Sequence, residues 1–501
     1  MFRNFRFIHA HPLFFGIFPP LAMLIANAGY TPLSSIAHPL VFSVLISLLI
    51  FLVVRAFVRK WDKAAIISSI LILVFFTFGH LYDLLKPVKV IHIEIGRLRY
   101  LLPTVLLIAT VLIFLILKKK GGLEQWNWFL AFTSLALVMI ASIRLISISV
   151  AANVAPVQVQ SDDNLPVSGD TFSVTRRDVY YIILDKYTRD DYVLRDYGLD
   201  TSEFISQLEA LGFYVAKCSQ PNYPGTALSM ASSLNYEYLD VLAPELINSN
   251  SAWVNFSPYV QNSRARQFFE NLGYKFITAE TPYEWVEIRD SDIFIKPQRV
   301  GGALELTSFD TLFLKSTLLR PLFSITLPVN FKKVVSFERA HYERIFYTLS
   351  QIKRIPEIPG PKFVYLHLIV PHSPYIFTPG GDFKVTEDEK AGYVDNIRFI
   401  NSQIIPVVSE IIEKSDVPPV IILQGDHGND GDDMYAIFNA YYLPEGGGNS
   451  LYPYITPVNS FRLILDQYFG TDLGLLKDVT YTWKWEDVYD FGIFENKCSR
   501  D

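Results

Sequence analysis

Five apolar runs crowd the first 150 residues, at about 13–28, 39–57, 64–81, 101–117 and 128–150. Each approaches the ~20 residues a helix needs to cross ~30 Å of hydrocarbon. Lipid offers no partner to a free peptide group, so each run must satisfy its backbone internally and is expected to be helical. One run this apolar fits the core of a water-soluble protein; five in succession do not. Residues 1–150 therefore read as a five-helix transmembrane domain, placing the chain in the cell membrane as a multi-pass protein.

Loop charges give the orientation. Arg3 and Arg6 precede the first run; Arg55, Arg59, Lys60 and Lys63 follow the second; Lys118, Lys119 and Lys120 follow the fourth. The loop after the first run, 29–38, has no Lys or Arg. Basic loops stay in the cytoplasm, so the N-terminus is expected inside. One loop disagrees: Lys86, Lys89, Arg97 and Arg99 would lie outside, in 85–100, where alternating Val88, Ile91, Ile93 and Ile95 suit a segment resting on the membrane surface. The first run has a second reading as a signal peptide, since Arg3 and Arg6 precede it, Ala26-Asn27-Ala28 resembles a cleavage site, and Pro19 and Pro20 interrupt it. Five crossings from an inside start, or four from an outside start, both leave residues after Val150 extracytoplasmic.

The charge balance changes at the same point. Residues 1–150 hold 14 Lys+Arg and 4 Asp+Glu, a net of +10, against 30 and 46 in 151–501, a net of −16. An acidic water-facing half argues against nucleic acid, which needs a basic footprint. Residues 151–177, rich in Ser, Pro, Asp and Val without a period, read as a linker. Beyond them, strand-like runs (179–184, 213–216, 275–278, 363–370, 420–423) alternate with helical patterns (202–211, 226–234, 394–414). This alternation predicts an α/β domain with a mostly parallel sheet flanked by helices.

In such sheets, ligands bind beyond the carboxyl ends of the strands. Three strand ends here carry reactive side chains: Asp185 after Tyr181-Ile-Ile-Leu, His372 after Val370-Pro, and Asp426-His427 after Leu423-Gln-Gly. Thr226 follows Pro224-Gly225 at the start of a helix, where backbone N–H groups attract an anion. Each has a plain structural reading: turn formers for Asp426-His427, a cap or surface carboxylate for Asp185, an N-cap for Thr226, a core or loop histidine for His372 and His367. An Asp-His pair can reach one divalent cation, and a hydroxyl coordinated to that cation can attack phosphorus.

In the order Asp185, Thr226, His372, Asp426-His427, the chain resembles the alkaline phosphatase-like superfamily and, within it, the sulfatase-fold membrane transferases: lipoteichoic acid synthases and phosphoethanolamine or phosphoglycerol transferases. The resemblance covers roughly 178–470, including Asn222–Leu234, Leu366–Tyr375, Tyr393–Asn401, Leu423–Gly428 and Asn459-Ser-Phe-Arg462; 471–501 is a C-terminal extension. It implies one divalent metal ion, Mn or Zn with Mg as a further candidate, held by Asp185, Thr226, Asp426 and His427. It also implies Thr226 as the nucleophile that becomes phosphorylated, and His372 at the substrate; His367, a strand residue pointing into the core or along the cleft, is counted with His372 as substrate-binding. The implied partners are a membrane phospholipid donor and a surface glycan or lipid acceptor.

Departures from the family refine this. A sulfatase needs Cys or Ser in C/S-x-P-x-R, whereas Cys218-Ser-Gln-Pro221-Asn222 has other spacing and no Arg, so sulfate-ester hydrolysis is disfavoured. A two-zinc phosphatase needs about three histidine ligands. Residues 151–501 hold only His341, His367, His372 and His427, with His341 expected on a surface helix, so one metal with mostly oxygen ligands fits better. Asp185 stands where the lipoteichoic acid synthases have Glu, and Ser219 and Ser229 rival Thr226. Water as acceptor would make the same residues a phosphodiesterase or phosphatase, and a catalytically inactive polymer-binding or assembly module is a third reading. Cys218 and Cys498, in an oxidising space, are open to a single disulfide that would tie the tail to the nucleophile loop. The aromatic stretches around Tyr223, Trp253, Tyr283 and Trp285 read as packing rather than as a lipid groove.

Overall fold

The computed structural model describes residues 6–27, 31, 33–90, 93–153, 176–244, 256–283, 285–298, 304–323, 334–482 and 491–498. Most of the expected linker, from 154 to 175, and Trp253 lie outside these. The chain divides into two compact units, Met1–Val154 with Gly301–Phe337, and Ala155–Val300 with Glu338–Asp501.

The first unit holds five helices: α1 (His11–Ala26), α2 (Ala37–Phe57), α3 (Trp61–Leu85), α4 (Leu98–Lys118) and α5 (Glu124–Asn153). The last four are long and apolar enough to cross a membrane; α1, with Pro19 and Pro20 inside it, has 16 residues and is shorter. The expected surface segment 85–100 contains a two-residue hairpin, Lys89–Val90 against Ile93–Glu94. Polar contacts gather the starts of α1, α3 and α5: His11 bonds Ser69 at 2.6 Å and Asn127 at 3.0 Å, and His9 meets Asp62 at 3.0 Å.

Residues 304–323, within the stretch expected to be sheet domain, belong to the compact unit of these helices instead. Their helix α7 (Ser308–Lys315) starts in a capping box between Thr307 and Asp310, and it sets Phe313 against Phe42 and Phe76. Ser316 O then accepts from Gly79 N at 2.8 Å, and Leu318 N donates to Phe75 O at 2.7 Å. A Cβ on Gly79 would meet Lys315 O at 2.3 Å and Ser316 Cα at 2.5 Å, so only glycine admits this backbone-to-backbone seat. Arg320 closes it on Asp83 at 2.7 and 2.8 Å. The helix ends used, at Leu24, Phe42, Phe75–Asp83 and Leu145, are those the loop charges assign to the outer side.

The second unit is built on seven strands: β1 (Val179–Leu184), β2 (Tyr214–Val215), β3 (Lys275–Ala279), β4 (Ile293–Ile295), β5 (Lys362–Leu368), β6 (Val420–Gln424) and β7 (Asn439–Tyr442). Their spatial order is β2-β7-β6-β1-β5-β3-β4, parallel from β6 to β4, with β7 antiparallel to both its neighbours. The central strands β1, β5 and β6 are buried along their whole length, as runs covered on both faces must be. Alternation divides their side chains. Val179, Tyr181 and Ile183 enter one core layer with α6 (Thr226–Asn235) and α10 (Pro457–Phe469). Tyr180, Ile182 and Leu184 enter the other, with α8 (Phe337–Ile352) and α9 (Glu389–Lys414). The layered α/β architecture expected from the sequence is the one observed, and β1, β5 and β6 all deliver their carboxyl ends to one edge.

Candidate metal centre

Backbone bonds fix the strand ends before any side chain is considered. Asp185 N donates to Leu368 O at 2.9 Å, and His372 N donates back to Asp185 O at 3.0 Å, so the ends of β1 and β5 are stitched together. On the other side, Gly425 and Gly428 bracket Asp426-His427. A Cβ on Gly425 would stand 2.5 Å from Tyr187 O, and one on Gly428 would stand 1.8 Å from Asp433 O. Both places need a residue without a side chain, and the tight loop between them turns the carboxylate and the imidazole inward.

The three ligand-type residues meet there. Asp185, Asp426 and His427 are all buried, and each offers one ligand atom within 4.8 Å of the others. Among the described residues no other such group of His, Cys, Asp or Glu occurs. Asp426 Oδ1 accepts from Lys186 N at 3.0 Å and from His427 N at 2.9 Å, which leaves Oδ2 without a hydrogen-bond partner. Asp185 Oδ2 accepts from His367 Nε2 at 3.0 Å, which leaves Oδ1 equally bare. Two buried, partnerless carboxylate oxygens are costly unless a cation shares them. His427 Nδ1 donates to Gly428 O at 2.7 Å, so Nε2 carries the lone pair that a metal takes. The donor set of two carboxylates, one imidazole and one hydroxyl thus fits a divalent ion with mostly oxygen ligands.

Thr226 supplies the hydroxyl. It is the first residue of α6, half-buried, and its Oγ1 lies 3.3 Å from His427 Nε2. Gly225 before it takes φ +119, a left-handed value that suits glycine and turns the chain into the helix. The rival hydroxyls are occupied elsewhere. Ser229, on the same helix, is buried and donates to Asp426 O at 2.6 Å; Ser219 is buried and donates to Ile455 O at 2.6 Å.

The histidines divide by environment. His372 is half-buried at the site edge, its Nδ1 bonded to Ser373 O, its ring 5.8 Å edge-on from Tyr283, which in turn stacks on Trp285 at 4.5 Å. Burial lowers its pKa against the pull of Asp185, which keeps the ring neutral with Nε2 free. His367 is a strand residue with no side-chain exposure, held between Tyr365 OH and Asp185. Burial raises the Asp185 carboxyl, but His372, His367 and His427 outweigh it and hold it below the usual carboxylate range. His341 corrects the sequence reading: it lies on α8 but is wholly buried, donating from Nε2 to Ile369 O at 2.9 Å beneath the turn that carries His372. Its burial lowers its pKa to about 3.

Lys186, which no motif in the sequence singles out, follows Asp185 with φ +62 and reaches Asp430 Oδ1 at 2.9 Å. A non-glycine residue in the left-handed region is uncommon, and φ is invisible in sequence. The open question of the cysteines is answered by a Cys218–Cys498 disulfide with Cα atoms 5.6 Å apart. The extension it secures braces the loop before Thr226, with Tyr481 N on Asn222 O at 2.9 Å and Tyr481 stacked on Tyr223 at 5.1 Å.

No family model matches this sequence, and no curated protein matches it. Solved structures do. Lipooligosaccharide phosphoethanolamine transferase A (EptA) from Neisseria meningitidis, an integral membrane protein, is similar at 12% identity over 89% of this chain and 89% of that one, with a TM-score of 0.40. The C-terminal periplasmic domain of EcEptC from Escherichia coli, in complex with Zn, matches at 13% identity over 59% of this chain and 84% of that one, TM-score 0.39. The lipoteichoic acid synthase LtaP from Listeria monocytogenes matches at 10% identity over 60% and 74%, TM-score 0.36. Likeness at these values carries no weight in assigning a reaction; the site's own chemistry has to do that.

Proposed function

We propose that this chain is a membrane-anchored, divalent-metal-dependent transferase. It would move a phosphate-linked head group, of phosphoglycerol or phosphoethanolamine type, from a membrane lipid to an extracytoplasmic glycan or lipid acceptor. The observation that carries this reading is the pair of bare, buried oxygens on Asp185 and Asp426 beside His427, with the Thr226 hydroxyl 3.3 Å from His427 Nε2.

Asp185, Thr226, Asp426 and His427 would hold the ion. When bound, a Mn, Zn or Mg ion would supply Lewis acidity, drawing charge from the phosphoryl oxygens and lowering the pKa of the hydroxyl. Thr226 Oγ then forms a bond to phosphorus as the bond from phosphorus to the lipid oxygen breaks. The Thr226 proton ends on the departing lipid alcohol, and His372, neutral with Nε2 free, is the residue suited to carry it. In the second half, an acceptor hydroxyl attacks phospho-Thr226; its oxygen–phosphorus bond forms, the Thr226–phosphorus bond breaks, and its proton returns to Thr226. His367, expected at the substrate, is better placed to orient Asp185. Residues 178–470, outside the 301–337 excursion, would carry the chemistry on the outer side of the membrane, tethered to it through the helical anchor.

Mass spectrometry of the full-length protein after incubation with mixed membrane lipids tests the reading. A phosphoglycerol or phosphoethanolamine adduct on Thr226, discharged onto an acceptor, supports it. Release of the free head group to water would replace transfer by hydrolysis. An adduct on another residue would remove Thr226 from the mechanism.

A further inference from the structure

We propose that Lys186 is a phosphoryl-binding residue of this site: its ammonium group leaves Asp430 and pairs with the non-bridging oxygens of the bound phosphodiester and of phospho-Thr226. The proposal rests on the metal-assisted reading above and extends it to a residue outside the ligand set.

The backbone of Lys186 is clamped from both sides. Its N–H donates to Asp426 Oδ1 at 3.0 Å, and its carbonyl accepts from Tyr393 OH at 2.7 Å. The side chain therefore starts from a point fixed on a ligand carboxylate. At φ +62 a glycine would sit with less strain, yet a lysine occupies the turn. Its Nζ lies 2.9 Å from Asp430 Oδ1, but the two ends of this ion pair differ: the Lys186 side chain is 19% exposed and that of Asp430 is 79% exposed. A carboxylate so open to water is a weak partner, easily exchanged for solvent. The pair also shares its field with the site. Partial desolvation raises the Asp430 carboxyl, but Lys186 first, then His427 and His372, pull it below its ordinary value.

Charge balance gives the exchange a purpose. Asp185, Asp426 and an incoming phosphodiester bring three negative charges, and one divalent ion brings two positive ones. The remaining negative charge would sit on the phosphoryl group, and Lys186 is a cation whose backbone is anchored on the ligand carboxylate Asp426. Arriving substrate would draw the ammonium inward and leave Asp430 to water.

Inorganic phosphate is the probe, titrated calorimetrically into full-length, Mn²⁺-loaded protein in detergent, with Mn²⁺ affinity measured in parallel. Lys186→Met is expected to weaken phosphate binding about tenfold or more, the worth of one charge-assisted bond. Lys186→Arg should keep most of the affinity. Asp430→Asn should tighten phosphate binding severalfold by removing the competing partner, with Mn²⁺ affinity unchanged throughout. Equal phosphate affinity in wild type and Lys186→Met, with Mn²⁺ bound in both, overturns the proposal and leaves the metal-site reading standing. If Lys186→Met loses the ion, Asp430→Asn decides, and an unchanged phosphate affinity there overturns the proposal. A wild-type protein that takes up neither Mn²⁺ nor phosphate removes the underlying reading and this proposal with it.

Discussion

Thr226 Oγ1 stands 3.3 Å from His427 Nε2, although 201 residues separate them in the chain. The hydroxyl comes from the first turn of a helix on one face of the sheet, and the imidazole from the end of a central strand. With Nδ1 committed to Gly428 O, His427 can only accept from Thr226 in the metal-free state. A side chain so placed is expected to be chemically indispensable and structurally dispensable. Thr226→Ala should lower turnover by roughly a thousandfold or more, as loss of a nucleophile does, while Asp185, Asp426 and His427 still retain the ion. Thr226→Ser should restore part of the rate. Head-group transfer assays beside metal analysis check this; normal turnover in Thr226→Ala would assign the nucleophile elsewhere.

The loop that presents His427 depends on Gly428. A methyl group there would enter the space of Asp433 O and Ala436 O, at 1.8 and 2.6 Å. Backbone on that side cannot yield as a flexible side chain would, so Gly428→Ala should destabilise the protein by about 2 kcal/mol or more and weaken metal binding. Thermal unfolding with and without Mn²⁺ reads both effects. An unchanged melting point would mean that the loop is softer than its contacts imply.

Gly79 plays the corresponding part in the first unit, where α3 receives the backbone of 315–318. Gly79→Leu should release 301–337 from the helices. The readout is proteolytic cleavage within 301–337 in detergent or vesicles, expected to be much faster in the variant, while Leu73→Ala on an exposed face of the same helix should change nothing. Equal cleavage rates would show that the seat adds little to the holding of this segment.

Much of this arrangement is legible in the chain. Asp185 and Asp426-His427 stand out because each terminates a run of β-branched and aromatic residues, and the topology rule for parallel sheets brings such ends together. His341 does not, because the mixed pattern Phe-Glu-Arg-Ala-His-Tyr-Glu-Arg looks like a solvated helix, and only the packed fold shows that its histidine face lies under Ile369. Residues 301–337 are illegible for a related reason: Leu312, Phe313 and Leu314 have the apolarity of any short core helix, and nothing local says that their core is formed by helices from the first 150 residues. The contact of His367 with Asp185 is hard to read from its place inside a strand, although its register opposite Ile183 puts it two residues from Asp185.

Burial of His341 also makes stability depend on pH. Its folded pKa lies near 3, below the ordinary 6.5, so between these values the unfolded chain binds the extra proton. Stability from this group is fully present above about pH 6.5 and falls as pH drops towards 3, by at most about 1.4 kcal/mol per pH unit. His341→Gln keeps a donor for Ile369 O but removes the titration. Denaturant unfolding from pH 7 to pH 4 should show a shallower loss in the variant, and parallel slopes would contradict the assignment.

Metal stoichiometry tests the central claim most directly. Full-length protein equilibrated with Mn²⁺ or Zn²⁺, freed of excess and analysed by elemental mass spectrometry, is expected to hold one tight equivalent. Asp185→Asn and Asp426→Asn should each lose it while remaining folded, since the amide keeps the size of the side chain but not its charge. Retention of the ion by the double variant Asp185→Asn/Asp426→Asn, or none in the wild type under the same conditions, would contradict the account.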